Sequence, residues 1–127
     1  MSLQIAHQMG SGGVVYLHQE GRGNGLVAKA MQLDIMSDQG ADTVTAFIQA
    51  GFPKDVRNYK IAVNILNDLG ISSIQIITNN PDKMEQIQSL GIVINSRIPC
   101  IPNLPERNPV VDRDLAAKRT ELGHLID

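Results

Sequence analysis

Leu69–Lys83 reads LGISSIQIITNNPDK, and the order of signals in it decides the kind of fold. Gly70 is a helix stop, since glycine takes the left-handed conformation that closes a helix at little cost. Ser73–Ile77 (SIQII) is β-branched and reads as a strand. Asn80 suits a helix N-cap and Pro81 the first helical turn, so a helix is predicted from Pro81 to about Leu90. Immediately upstream, Tyr59–Leu69 is the clearest helix in the chain, with Ala62, Ile65, Leu66 and Leu69 on one face. Downstream, Gly91–Asn95 reads as another short strand. Strands alternating with helices predict an α/β fold: a single layered domain over residues 1–127, with a short, largely parallel sheet flanked by helices.

The remaining segments extend that pattern. Leu3–Met9 reads as a helix closed by Gly10, Gly12 and Gly13, and Val14–His18 as a strand. A glycine-rich loop follows. Leu26–Gln39 has apolar residues at Val27, Ala30, Met31, Leu33 and Met36, roughly helical in spacing, and Gly40 stops it. Asp42 or Thr43 can cap a short helix over Val44–Ala50. FPKDVRN (Phe52–Asn58) is a polar loop. Pro99–Pro109 is expected to be an extended arm, because prolines fix φ and restrict the residues before them. A last helix is predicted from Asp112 to near Leu122.

Composition narrows the function classes. The chain has 127 residues, 43% of them hydrophobic but only 3% aromatic, with no Trp. The core must therefore be aliphatic, and stacking platforms for single-stranded nucleic acid are lacking. A formal net charge of −2 argues against nucleic acid as a partner, which calls for clustered Lys and Arg. The one cysteine, Cys100, cannot form an internal disulfide or a multi-cysteine metal site, and it reads as a packing residue. No apolar run reaches membrane-spanning length and no signal peptide is evident, so the expectation is a cytoplasmic protein without a membrane partner.

Two polar loops follow predicted strands and lead into helices: Gln19–Gly25 and Thr78–Lys83. Ligands in open α/β sheets sit beyond the carboxyl ends of strands, and helix N-termini favour anions. Glycines at 21, 23 and 25 would let the backbone approach a phosphate, and Arg22 could clamp it. Alone, the loop reads first as an ordinary solvated turn, since it matches neither the dinucleotide fingerprint nor the P-loop. Asp55 two residues before Arg57 can orient the guanidinium or be a simple solvated pair. Thr78 and Asn79 can read a ligand or satisfy the turn. His18 with Glu20 makes a poor metal site, so no metal site is predicted. Met31, Met36 and Met84 read as core or interface fillers.

Taken together and in order, YLHQEGRGNGL (Tyr16–Leu26), DQGADTV (Asp38–Val44), AGFPKDVRNY (Ala50–Tyr59), LGISSIQIITNNPDK and KRTELGHLI (Lys118–Ile126) resemble GTP cyclohydrolase II, which opens riboflavin biosynthesis. The resemblance covers nearly the whole chain from Leu3. It implies GTP or a related purine nucleotide as ligand, pyrophosphate release and imidazole ring opening as the reaction, Mg²⁺ carried with the nucleotide, and a homodimer. By position it implies nucleotide contacts for Glu20, Arg22, Thr43, Thr78 and Lys83. It makes Asp55 and Arg57 the catalytic pair, the arginine attacking the α-phosphate with the aspartate's help.

Two departures qualify that expectation. The family's zinc is bound by three cysteines upstream of the helix with which this sequence begins, so Zn²⁺ is expected of the family but no site for it is expected here. The family's catalytic tyrosine lies in the helix after the glycine loop, where the nearest positions here are Leu33 and Asp34. The expected activity is therefore partial or impaired. The alternative is a non-catalytic guanine-nucleotide-binding module, or one subunit of a split enzyme.

Overall fold

A computed structural model describes residues 2–100 and 109–126. Among these residues it is an α/β fold of six α-helices and a two-stranded parallel sheet. The chain divides into two compact units, one of Met1–Leu17, Tyr59–Pro105 and Leu125–Asp127, the other of His18–Asn58 and Glu106–His124.

The first unit holds α1 (Ser2–Gln8), α4 (Lys60–Asp68), β1 (Ser73–Ile77), α5 (Pro81–Ser89) and β2 (Val93–Ile98). Strands β1 and β2 run parallel from Ser73↔Val93 to Ile77↔Ile98, with a break in register after Ile74 that leaves Asn95 as an extra residue. Parallel strands need a crossover, and α5 supplies it. Asn80 caps α5, its Oδ1 accepting from the Asp82 N–H at 3.0 Å, with Pro81 in the first turn. The core is aliphatic around one ring: Tyr59, Val63, Ile76, Ile87 and Ile92, with Leu17, Leu66, Ile74, Met84 and Ile94 packed against it.

Three expectations for this unit need correction. Val14–His18 is not a strand among the described residues. Its β-branched and aromatic residues suit a strand, and Leu17 packs on the core while Val14, Val15 and Tyr16 are exposed, but a strand needs a ladder partner, and β1 and β2 pair with each other. The second strand begins at Val93 rather than Gly91 and runs on to Ile98, because pairing with β1 sets its limits. On α4 the buried positions are Ala62 and Val63, while Ile65 and Leu69 are exposed. The inward face is rotated toward Val63, which packs on Tyr59 and Ile76.

The second unit holds α2 (Gly25–Gln39), α3 (Thr43–Gln49) and α6 (Pro109–Leu122). Asp42 is the N-cap of α3: Oδ1 accepts from the Val44 and Thr45 N–H groups at 2.8 and 3.1 Å, and Oδ2 from the Thr45 hydroxyl at 2.6 Å. Gly40, at φ 63°, closes α2, and its carbonyl accepts from Arg113 Nη1 of α6 at 3.2 Å. Ala28 and Gln32 are the buried residues of α2, while Val27, Met31 and Leu33 face outward. Apolar residues occur all around this helix, so their spacing selects no face. Helix α6 starts at Pro109, earlier than Asp112, consistent with proline's tolerance in a first turn. Of the expected proline-rich arm, residues 101–108 lie outside the described residues.

Candidate functional site

Two loops far apart in sequence interlock within the second unit. Residues 19–24 form a tight turn, with the 3₁₀ segment Gly21–Gly23 at its centre. Residues 53–58 run alongside. Gln19 Nε2 donates to the Asn58 carbonyl at 2.7 Å, and its Oε1 accepts from the Asn58 N–H at 3.0 Å. The Val56 N–H donates to the Arg22 carbonyl at 2.9 Å. Asn24 Nδ2 donates to the carbonyls of Pro53 and Gly21 at 3.0 and 3.1 Å. A side-chain amide thus closes each end of the contact and a backbone bond holds its middle.

The chemistry-bearing side chains sit on this clasp. Arg22 has φ 56° and ψ 36°, the one non-glycine residue at positive φ among those described. That left-handed backbone costs a side-chain-bearing residue roughly 1–2 kcal/mol, and such strain persists only where surrounding bonds over-determine it. The Arg22 guanidinium lies 6.0 Å from the centroid of the buried Phe47 ring, and its Nη1 reaches the Lys54 carbonyl at 3.4 Å. Gly23, at φ 87°, leaves no room for a side chain, since a Cβ there would lie 3.0 Å from Arg57 N and from the Val56 carbonyl carbon.

Asp55 and Arg57 form a forked pair. Arg57 Nε donates to Oδ1 and Oδ2 at 2.9 and 3.2 Å, Nη2 donates to Oδ2, and the Arg57 N–H donates to Oδ1 at 3.1 Å. Burial pushes the Asp55 carboxyl up, but the hydrogen bonds from Arg57 and the charges of Arg57 and Arg22 outweigh it and hold the carboxyl below the usual range. Asp55 is therefore ionised at neutral pH, under the field of both arginines. Beside it, Glu20 Oε2 pairs with Lys29 Nζ of α2 at 2.6 Å, half-exposed. The Thr43 hydroxyl lies 3.8 Å from Met36 Sδ.

Five of the seven residues named from the sequence thus fall in this unit, and four of them lie on or beside the clasp. Thr78 and Lys83 belong to the first unit. Thr78 is buried, its hydroxyl accepting from the Asn80 N–H at 3.2 Å, which is the turn-satisfying role. Lys83 Nζ stands 5.5 Å from the centroid of the Tyr59 ring. Asn79 binds Cys100 through both backbone groups, Nδ2 to the carbonyl at 2.8 Å and Oδ1 from the N–H at 2.9 Å. Sequence reading missed Gln19 and Asn24 as organisers, although amides flanking a glycine turn are the signal that marks them.

A GTP cyclohydrolase II family model matches residues 1–99. The chain belongs to the GTP cyclohydrolase II family. It is 44% identical over 130 residues to the riboflavin biosynthesis protein RibBA of Synechocystis sp., covering 99% of this chain and 23% of that protein. A GTP cyclohydrolase-2 of Hahella chejuensis is also 44% identical, over 92% of this chain and 55% of its own length. One from Shewanella sp. is 37% identical over 98% of this chain and 60% of its own. The chain therefore spans 23% to 60% of the length of these relatives.

Zinc, which the family resemblance implies, is not fitted by the described residues. Among the described residues no three of His, Cys, Asp and Glu converge to hold a metal, and Cys100 is the sequence's one cysteine. The positions nearest the family's tyrosine, Leu33 and Asp34, are exposed on α2. No helix among the described residues is long and apolar enough to cross a membrane.

Proposed function

We propose that this chain binds GTP with its Mg²⁺ and carries the pyrophosphate-releasing half of the family reaction on the clasp. Arg22 holds phosphate oxygens. Glu20 and Thr43 contact the nucleotide. Arg57 attacks the α-phosphorus as the bond to the β-phosphate oxygen breaks. Pyrophosphate leaves with that electron pair, and the proton lost by the guanidinium passes to Asp55. Water then cleaves the nitrogen–phosphorus bond and releases GMP. The same reading takes the protein as a cytoplasmic homodimer.

One observation carries this reading: Arg22 and Arg57, thirty-five positions apart in sequence, both act on the Asp55 carboxylate. Preorganised cations are what phosphoryl transfer needs, because its catalysis is mostly positioning and charge stabilisation. A second reading, binding without turnover, rests on the same pair. With its carboxyl held low, Asp55 is a weak base toward a guanidinium that is always charged.

Incubating the chain with GTP and Mg²⁺ and weighing the products separates the two. GMP with pyrophosphate, lost in Arg57→Ala, supports the catalytic reading. Unchanged GTP with measurable affinity leaves the binding module. Absence of both activity and affinity overturns the proposal.

A further inference from the structure

We infer that Gln19 is a positioning residue that registers the Arg22 turn on the Asp55–Arg57 loop. Its functional meaning rests on the nucleotide reading above. Gln19 pairs with both backbone groups of Asn58, as a neighbouring strand would. A backbone pairing of that kind depends on conformation alone, whereas this one depends on a particular side chain three residues before Arg22. Asn24 does the same work at the other end through Pro53. Between them, Arg22 is held in a left-handed conformation that it would leave if released. Arg57 follows directly on Val56, whose N–H is bonded to the Arg22 carbonyl. Loss of the Gln19 pairing therefore loosens the bond that fixes one arginine relative to the other.

None of the roles implied by the resemblance falls on Gln19. Its effect is indirect, because it touches neither guanidinium and sets where both are. Displacements of about 1 Å are enough to cost large factors in a preorganised site.

The test uses the full chain with two substitutions. Gln19→Glu keeps the shape but sets an anionic oxygen against the Asn58 carbonyl, and Gln19→Met removes both bonds. Circular dichroism and a thermal melt establish that each variant folds. If one does not, the other carries the comparison. Amide exchange is then read at Val56, whose bond neither substitution touches directly. We expect Val56 exchange to accelerate by about ten-fold, with Val63 of α4, bonded to the Tyr59 carbonyl, unchanged. Calorimetry should show GTP affinity falling by about ten-fold while guanosine affinity is kept, because guanosine offers no phosphate to the arginines.

Unaltered exchange at Val56 overturns the inference. So does accelerated exchange with GTP affinity undiminished, or an equal loss toward guanosine. Failure of the unsubstituted chain to bind GTP sinks the nucleotide reading instead, and Val56 exchange still decides whether Gln19 registers the two loops.

Discussion

Arg22 combines a strained backbone, at φ 56°, with a charge that acts on the Asp55 carboxylate. The strain and the charge separate experimentally. Arg22→Ala removes the guanidinium but keeps a Cβ at positive φ, and Arg22→Gly removes both. Relief of the left-handed strain is worth roughly 1–2 kcal/mol, against about 0.4–1 kcal/mol for the extra freedom of glycine in the unfolded chain. Denaturant melts should therefore find the glycine variant more stable than the alanine variant by about 1 kcal/mol, with both impaired in GTP binding. Equal stabilities would show that the turn relaxes around any side chain. Gly23 presents the opposite case. Gly23→Ala meets a positive φ and backbone atoms 3.0 Å away, so it should lose about 2 kcal/mol. It should also push Arg57 away from Arg22, seen as faster amide exchange at Val56.

At the scale of elements, α3 is the short helix most dependent on its cap. It has seven residues, and Asp42 receives three hydrogen bonds at its start. Asp42→Ala should cost about 1 kcal/mol at neutral pH. Burial raises the Asp42 carboxyl, yet the bonds from Thr45 and Val44 outweigh it and hold it below 3.8. A carboxyl depressed in the folded state contributes stability that is fully present above its unfolded value and fades as pH falls through its folded value. The gap between parent and Asp42→Ala should therefore persist down to about pH 4 and close below it. A gap that stays constant through acid would mean the carboxylate is not the source. This cap was legible in the sequence, as were Asn80 before α5 and the glycine closing α2, because caps and stops act over one turn. The strand assigned to Val14–His18 was not, since β-branched and aromatic content leaves the ladder partner unspecified. The inward face of α2 was likewise hidden, and that of α4 was read at Ala62 and Leu66 but not at Val63, with packing partners far away in sequence. The candidate residues Glu20, Arg22, Asp55 and Arg57 could be named from their motifs, but the Gln19–Asn58 and Arg22–Val56 bonds that join them are set by tertiary structure.

For the molecule as a whole, the nucleotide reading makes a claim about global stability. A ligand that binds the folded chain and not the unfolded one stabilises it by mass action, by about 2.7 kcal/mol at a hundred times the dissociation constant. For a chain of 127 residues that corresponds to a rise in melting temperature of roughly 10 °C. GTP with Mg²⁺ should produce such a rise, and it should grow with the logarithm of concentration once the site is saturated. Pyrophosphate alone should give a smaller rise if Arg22 and Arg57 hold the phosphates, because it offers their charge without the base. In Arg22→Gly the starting temperature should match or exceed that of Arg22→Ala, while the shift with GTP falls toward zero in both. Differential scanning fluorimetry with a GTP titration reads all of these in one experiment. A full GTP shift retained in Arg22→Gly would remove Arg22 from the site, however well its backbone is held by the clasp.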